Sequence, residues 1–125
     1  MPDNPSTILI VDDDPMTSRF LSEVLVRIGH QTHVAATLKG GLEAAHDQDY
    51  DLILLDVGLP DGNGLEALPK FVATGSRPEV IIITGAGDIN GAELAIRSGA
   101  WDYLEKPPTR ENIGLSISRA LQYRE

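Results

Sequence analysis

Asp12, Asp13 and Asp56 are the residues of this chain whose type and setting best suit chemistry. Each follows at once on a short apolar run, Ile8-Leu9-Ile10-Val11 for the first two and Leu52-Ile53-Leu54-Leu55 for the third. Carboxylates crowded at the end of a buried segment repel one another strongly in low dielectric unless a cation is near. Hard oxygen ligands of this kind suit Mg²⁺, which takes one or two carboxylates and keeps some of its water. Lys106, directly before Pro107, ends the last strand-like stretch. An isolated lysine is ordinarily a solvated surface group. At one rim with three carboxylates it is better read as their ion partner and as a contact for an anion. Thr84 closes another apolar run, Val80-Ile81-Ile82-Ile83, and offers a hydroxyl. Plainer roles exist for each: a helix cap, a turn aspartate, a β-branched strand end. Capping accounts for Asp14 without needing Asp12 or Asp13, so for those two metal binding is favoured.

The elements that must hold these residues follow a simple pattern. Continuous apolar runs at Ile8 to Val11, Leu52 to Leu55 and Val80 to Ile83 suit strands covered on both faces. A weaker second strand is expected at His33 to Ala36, and a short fifth at Trp101 to Leu104. Between them apolar residues recur at helical spacing. Asp14 caps a first helix with Pro15 at its first position, carrying Phe20, Leu21, Val24, Leu25 and Ile28 to a stop at Gly29. Thr37 caps a second with Leu38, Leu42 and Ala45, ending near Asp47, and a third runs from Leu65 to about Ala73. Asp88 caps a fourth with Ala92, Ala95 and Ile96 inward, ended by Gly99. Thr109 caps a fifth with Ile113, Ile117, Ala120 and Leu121 on one face. Five βα units with short connections predict an open, doubly wound parallel sheet, which binds ligands at the carboxyl ends of its strands. Every residue singled out above lies at such an end.

Composition bounds the rest. The 125 residues fit one domain, here residues 1–125, and the formal charge of −9 makes a poor partner for nucleic acid. No cysteine is present, which fits a reducing cytosol, and the polar start with two prolines carries no basic leader. The longest apolar runs are far short of the ~20 residues of a membrane span. A soluble cytoplasmic domain is expected. His30, His33 and His46 are scattered away from the rim and read as surface or packing residues.

Four segments together resemble the receiver domain of two-component response regulators: Ile8 to Pro15, Leu54 to Gly64, Ile83-Thr84-Gly85, and Gly99 to Pro107. The resemblance spans nearly the whole chain, in order. It implies a flavodoxin-like (βα)5 fold with strand order 2-1-3-4-5 and a phosphoryl acceptor at Asp56, served by a histidine kinase or phosphotransfer protein. It implies that Asp13, Asp56 and the Gly58 carbonyl ligate Mg²⁺, with Asp12 acting through water. Thr84 and Lys106 would contact phosphoryl oxygens, Tyr103 would be the aromatic switch, and the Lys106–Pro107 bond would be cis. Phosphorylation would then shift the face made by helix four, strand five and helix five. Leu94 and Leu115, off the buried stripes of helices four and five, hint at a dimer or output-domain contact there. The polar end of the last helix suits either a stand-alone regulator or a receiver cut from a longer chain, and the resemblance of Gly99 to Pro107 to receivers of transcriptional activators suggests, by analogy, an output domain beyond residue 125. Gly58 and Ala86 are small at positions that flank the phosphoryl site in this family, so an open, unshielded acyl phosphate is expected. Pro108 replaces a bulkier apolar residue.

Two other readings compete. A small Mg²⁺-dependent phosphohydrolase of the haloacid-dehalogenase type would need a second aspartate two residues after the nucleophile, where this chain has Gly58. A degenerate receiver serving only as an interaction module would lack one of the chemical positions, and all are filled.

Overall fold

The computed structural model describes residues 6–85 and 89–124. The apolar runs form one parallel sheet of five strands: β1 (Thr7–Val11), β2 (Gln31–Ala35), β3 (Leu52–Asp56), β4 (Glu79–Thr84) and β5 (Asp102–Glu105). Their order is β2-β1-β3-β4-β5, every pair parallel. The crossovers are the helices α1 (Pro15–Arg27), α2 (Leu38–Asp47), α3 (Gly64–Val72) and α4 (Ile89–Arg97), and α5 (Arg110–Arg124) follows the last strand. This is the doubly wound architecture expected from the βα repeat.

Because side chains alternate across a strand, each apolar run feeds two cores. Leu9, Val11, Ile53, Leu55, Val80 and Ile82 pack on one face with Leu38, Ala45, Leu68, Phe71 and Ala95 from α2, α3 and α4. Ile8, Ile10, Leu52, Leu54, Ile81 and Ile83 pack on the other with Leu21, Leu25, Ile113 and Ile117 from α1 and α5. Residues covered on both sides need no polar alternation, which is why these strands read as unbroken hydrophobic runs.

Helix ends fall where local chemistry puts them. The Asp14 carboxylate accepts from the Met16 N–H at 3.3 Å, with Pro15 opening α1. Thr37 Oγ1 accepts from the Gly40 N–H at 2.9 Å, and Thr109 Oγ1 from the Asn112 N–H at 3.1 Å. Gly29 and Gly99 stop α1 and α4 at φ of 101° and 108°, in the left-handed region that favours glycine. The expected Asp88 cap lies outside the described residues.

Three expectations are corrected. The second strand is Gln31–Ala35 and not His33 to Ala36: it pairs with β1 residue for residue from Thr7↔Gln31 to Val11↔Ala35, so an edge strand of weak apolar character takes its limits from its neighbour. Ile96 does not point inward. It is 46% exposed, while Ala92 and Ala95 are buried, so α4 lies on the sheet through alanines and leaves the larger side chain outside. Ile28 is the C-cap of α1 and partly exposed, outside its buried stripe. No helix among the described residues is long and apolar enough to cross a membrane.

Candidate acceptor and metal site

The carboxyl end of the sheet gathers the reactive residues because β1, β3, β4 and β5 all end there. Asp12 directly follows β1, and its N–H bonds the Ala35 carbonyl at 3.0 Å, prolonging the β1–β2 ladder by one step. Asp56 is the last residue of β3, opposite Ile83 of β4. Thr84 ends β4, and its carbonyl accepts the Lys106 N–H at 2.8 Å, which seats the lysine just beyond β5. The Lys106–Pro107 bond is cis, as expected.

Four side chains converge. One carboxylate oxygen from each of Asp12, Asp13 and Asp56 lies within 4.8 Å of the others, an arrangement able to hold a metal ion. Lys106 Nζ is 3.1 Å from Asp56 Oδ1 and 3.6 Å from Asp12 Oδ2. Asp12 and Asp56 are buried and Asp13 is exposed, so the cluster opens to solvent on one side. Burial pushes the Asp12 carboxyl up from its ordinary value; the hydrogen bond from the Asp14 N–H opposes this and the neighbouring charge of Asp56 adds to it. Burial alone would lower the Lys106 ammonium, but its hydrogen bond to Asp56 and the charges of Asp12 and Asp56 outweigh it and hold the group above the usual lysine value.

Two buried polar atoms have no hydrogen-bond partner among the described residues, Asp12 Oδ2 and Thr84 Oγ1. Such atoms ordinarily find partners, because an unmade buried bond costs about 1–3 kcal/mol. Both lie on residues of this rim. The donor set of three hard carboxylates and the orphaned Asp12 oxygen fit a small divalent cation.

The remaining expected residues are placed as follows. Gly58 is exposed in a short antiparallel ladder, Gly58–Leu59 with Gly62–Asn63, and a Cβ built on it meets nothing within 4 Å. Ala86 lies outside the described residues. Tyr103 is 38% exposed, directed away from the core. His30 and His33 are packing residues: the His30 Nδ1 faces the Ser6 N–H at 3.4 Å and the His33 Nδ1 lies 2.7 Å from the Tyr50 hydroxyl.

Two residues that sequence reading passed over also serve the rim. Gly64 is pressed against the end of β3: a Cβ there would sit 2.2 Å from the Asp56 carbonyl oxygen, and its N–H bonds the Val57 carbonyl at 2.8 Å. Asp61 reaches from the same loop to the start of α2, its two oxygens accepting the Leu38 and Lys39 N–H groups at 2.8 and 3.0 Å. Those bonds, the one from Lys39 foremost, hold the Asp61 carboxyl below its ordinary value. Neither signal is visible locally, since one is a close approach and the other a contact across the fold.

Comparison with known proteins points to one family. Residues 8–118 match the family model described as the response regulator receiver domain. The regulatory protein AtoC of Escherichia coli strain K12 is 35% identical over 115 residues, which cover 92% of this chain and 25% of AtoC. The solved CheY-like receiver domain protein of Methanospirillum hungatei JF-1 superposes with a TM-score of 0.89 at 28% identity, covering 97% of both chains. The beryllofluoride-activated NtrC4 receiver domain dimer gives 0.89 at 32% identity, over 95% of this chain and 98% of that one. The chain spans between 24% and 58% of the length of the curated relatives it matches. With the sheet order, the acid–lysine rim and the family match in agreement, the chain belongs to the response regulator receiver family, the phosphoacceptor signalling domains of two-component systems.

Proposed function

We propose that Asp56 is the phosphoryl acceptor of this domain and that Mg²⁺ is its cofactor. The observation that carries the reading is the meeting of Lys106 with Asp56 and Asp12 at 3.1 and 3.6 Å, inside a cluster completed by Asp13. Asp13, Asp56 and the Gly58 carbonyl would hold the ion directly and Asp12 through water. When bound, the ion would supply positive charge to the oxygens of the transferring group.

The chain's own residues do the rest. A carboxylate oxygen of Asp56 attacks phosphorus; the bond from phosphorus to the donor nitrogen of a phosphohistidine breaks, and its electron pair leaves with the imidazole, which takes up a proton. Such transfer depends on in-line positioning and charge neutralisation more than on covalent help. Lys106 supplies a fixed cation at the acceptor oxygen, and β3 fixes the backbone that carries it. Among the described residues no cap encloses the rim, and Gly58 stands open where a phosphohydrolase would carry its general acid. We therefore read the domain as a signalling acceptor that promotes only its own phosphorylation and dephosphorylation.

The acceptor assignment is tested by incubating the protein with Mg²⁺ and acetyl phosphate and following intact mass. One added phosphoryl group is expected in the wild type and none in Asp56→Asn. Steady release of phosphate over many turnovers, or an adduct that survives in the variant, would refute it.

The switch reading rests on Thr84. Its hydroxyl is buried without a partner among the described residues, and a phosphoryl group on Asp56 would bring three strong acceptors to the rim. Thr84 would move to meet them, and Tyr103 would move into the space left behind. The face of α4, β5 and α5, where Leu94, Ile96, Tyr103 and Leu115 are exposed, would then change, to the benefit of a partner copy or an output domain. A sensor kinase or phosphotransfer protein in the cytoplasm would supply the phosphoryl group. Thr84→Val removes the orphaned hydroxyl at nearly constant shape. It is expected to stabilise the unphosphorylated protein by about 1 kcal/mol, read from urea midpoints, while the change in Tyr103 environment on phosphorylation, read by NMR, is lost.

A further inference from the structure

The loop that follows Asp56 is not a free turn. Leu59, buried in the same core as Leu38, anchors one side of it. Asp61 then crosses to α2 and takes the first two amides of that helix, at 2.8 and 3.0 Å, with both carboxylate oxygens. Thr37 Oγ1 takes the third amide, that of Gly40, and the Thr37 carbonyl starts the helix's own ladder by accepting the Gly41 N–H. The four amides that open an α-helix have no partners within it. Here those of the first three helical residues are all satisfied by side chains, two of them by a residue 22 and 23 positions away in sequence. Gly62, next to Asp61, has φ of +154°, and a Cβ on it would come within 3.0 Å of the Leu38 side chain. Loop and helix start are therefore fitted together at several points.

We propose that Asp61 is a positioning residue for the metal-binding step: by bonding the start of α2 it holds the Gly58–Asn63 loop in the conformation in which Gly58 serves the ion. This rests on the acceptor reading above. The physical argument is entropic. A backbone already fixed before the ion arrives does not have to be ordered by it. Released from α2, the loop would have to lose its freedom on binding, and affinity would fall while the carboxylates stayed as they are. Asp61 lies outside the acid cluster that would contact the ion, so its influence is on the loop and not on the charge that the ion would meet first.

Thr37 provides the control. Thr37→Ala and Asp61→Ala both remove capping bonds from the start of α2, so both should lower thermal stability. Only the second frees the loop. In calorimetric titrations of the folded proteins with MgCl2, Asp61→Ala is expected to weaken Mg²⁺ binding about five- to tenfold. Asp61→Asn, which keeps one accepting oxygen, should fall between it and the wild type, and Thr37→Ala should bind as the wild type does. Equal affinity in wild type and Asp61→Ala would overturn the proposal. So would an equal loss in Thr37→Ala, because helix fraying would then be sufficient. Acetyl phosphate labelling of the same samples separates the two levels of failure. A wild type that takes up neither Mg²⁺ nor a phosphoryl group overturns the acceptor reading itself. A normally labelled wild type with unchanged Mg²⁺ affinity in Asp61→Ala overturns the role of Asp61 alone.

Discussion

Gly64→Ala is expected to destabilise the domain by about 3 kcal/mol and to disable phosphoryl uptake with it. The added Cβ would lie 2.2 Å from the Asp56 carbonyl oxygen and 3.1 Å from both the Asp56 carbonyl carbon and the Val57 Cα. All three are backbone atoms, so no side-chain rotation relieves the clash. The N–H of Gly64 bonds the Val57 carbonyl at 2.8 Å, which ties the start of α3 to the strand it would have to leave. Either α3 backs away from the core, where Leu68 and Phe71 are fully buried, or the end of β3 shifts. The second outcome moves Asp56 relative to Lys106, and a contact of 3.1 Å tolerates little movement. Gly75→Ala is the control, since a Cβ there meets nothing within 4 Å; its cost should stay within about 0.5 kcal/mol. Urea midpoints measure the stability loss, and intact mass after acetyl phosphate treatment, below the melting temperature of the variant, measures the second effect. A Gly64→Ala protein as stable as Gly75→Ala would show that the close approach relaxes without consequence.

What could be read from the sequence and what could not divide along a physical line. The strands β1, β3 and β4 were legible because burial on both faces demands unbroken apolar runs, and the aspartates and threonine that end them are conspicuous against that background. Lys106 was legible by its place beside Pro107 at the end of the fifth unit. The edge strand β2 was only approximately placed, since an edge with one neighbour has little apolar signal of its own. Ile96 misled because helical spacing identifies a face without saying how closely the helix approaches the sheet. Alanines at 92 and 95 bring α4 near and leave the larger residue outside. Gly64 and Asp61 sit in a loop rich in glycine, proline and aspartate, where such residues are ordinary turn formers. Their particular roles, contact with the Asp56 carbonyl and with the α2 amides, exist only once elements far apart in the chain have come together.

The acid cluster is a site whose residues work against the stability of the fold that holds them, and Asp12→Asn exposes the conflict. In metal-free buffer at neutral pH the variant is expected to be more stable than the wild type by about 1–3 kcal/mol. The substituted side chain keeps an oxygen for the bond that Oδ1 accepts from the Asp14 N–H at 2.9 Å. In place of the charged Oδ2, which has no hydrogen-bond partner and only a 3.6 Å ion pair with Lys106, it offers a neutral amide, and it removes one of three crowded negative charges. Burial raises the folded-state pKa of Asp12 above the ordinary 3.8, so the native state holds its proton more tightly than the unfolded chain. Stability from this group therefore falls as pH rises from about 3.8 through the folded value, and the full cost applies above it. Mild acid should thus narrow the gap between wild type and variant. Lys106 acts in the alkaline range: its raised value means a contribution present below 10.5 and lost as pH climbs through the folded pKa, a smaller loss in the variant because Asp12 is one of the charges that raise it. Mg²⁺ should reverse the order, because an ion that binds only the native state stabilises it by RT ln(1 + [Mg²⁺]/Kd), and the variant binds it less tightly. Melting curves with EDTA and with excess MgCl2, at pH 5 and pH 7, test both the pH trend and the reversal. A variant less stable than wild type in EDTA at pH 7 would mean that the buried carboxylate of Asp12 is supported by the fold rather than strained by it, and the case for a cation at this corner would lose its thermodynamic basis.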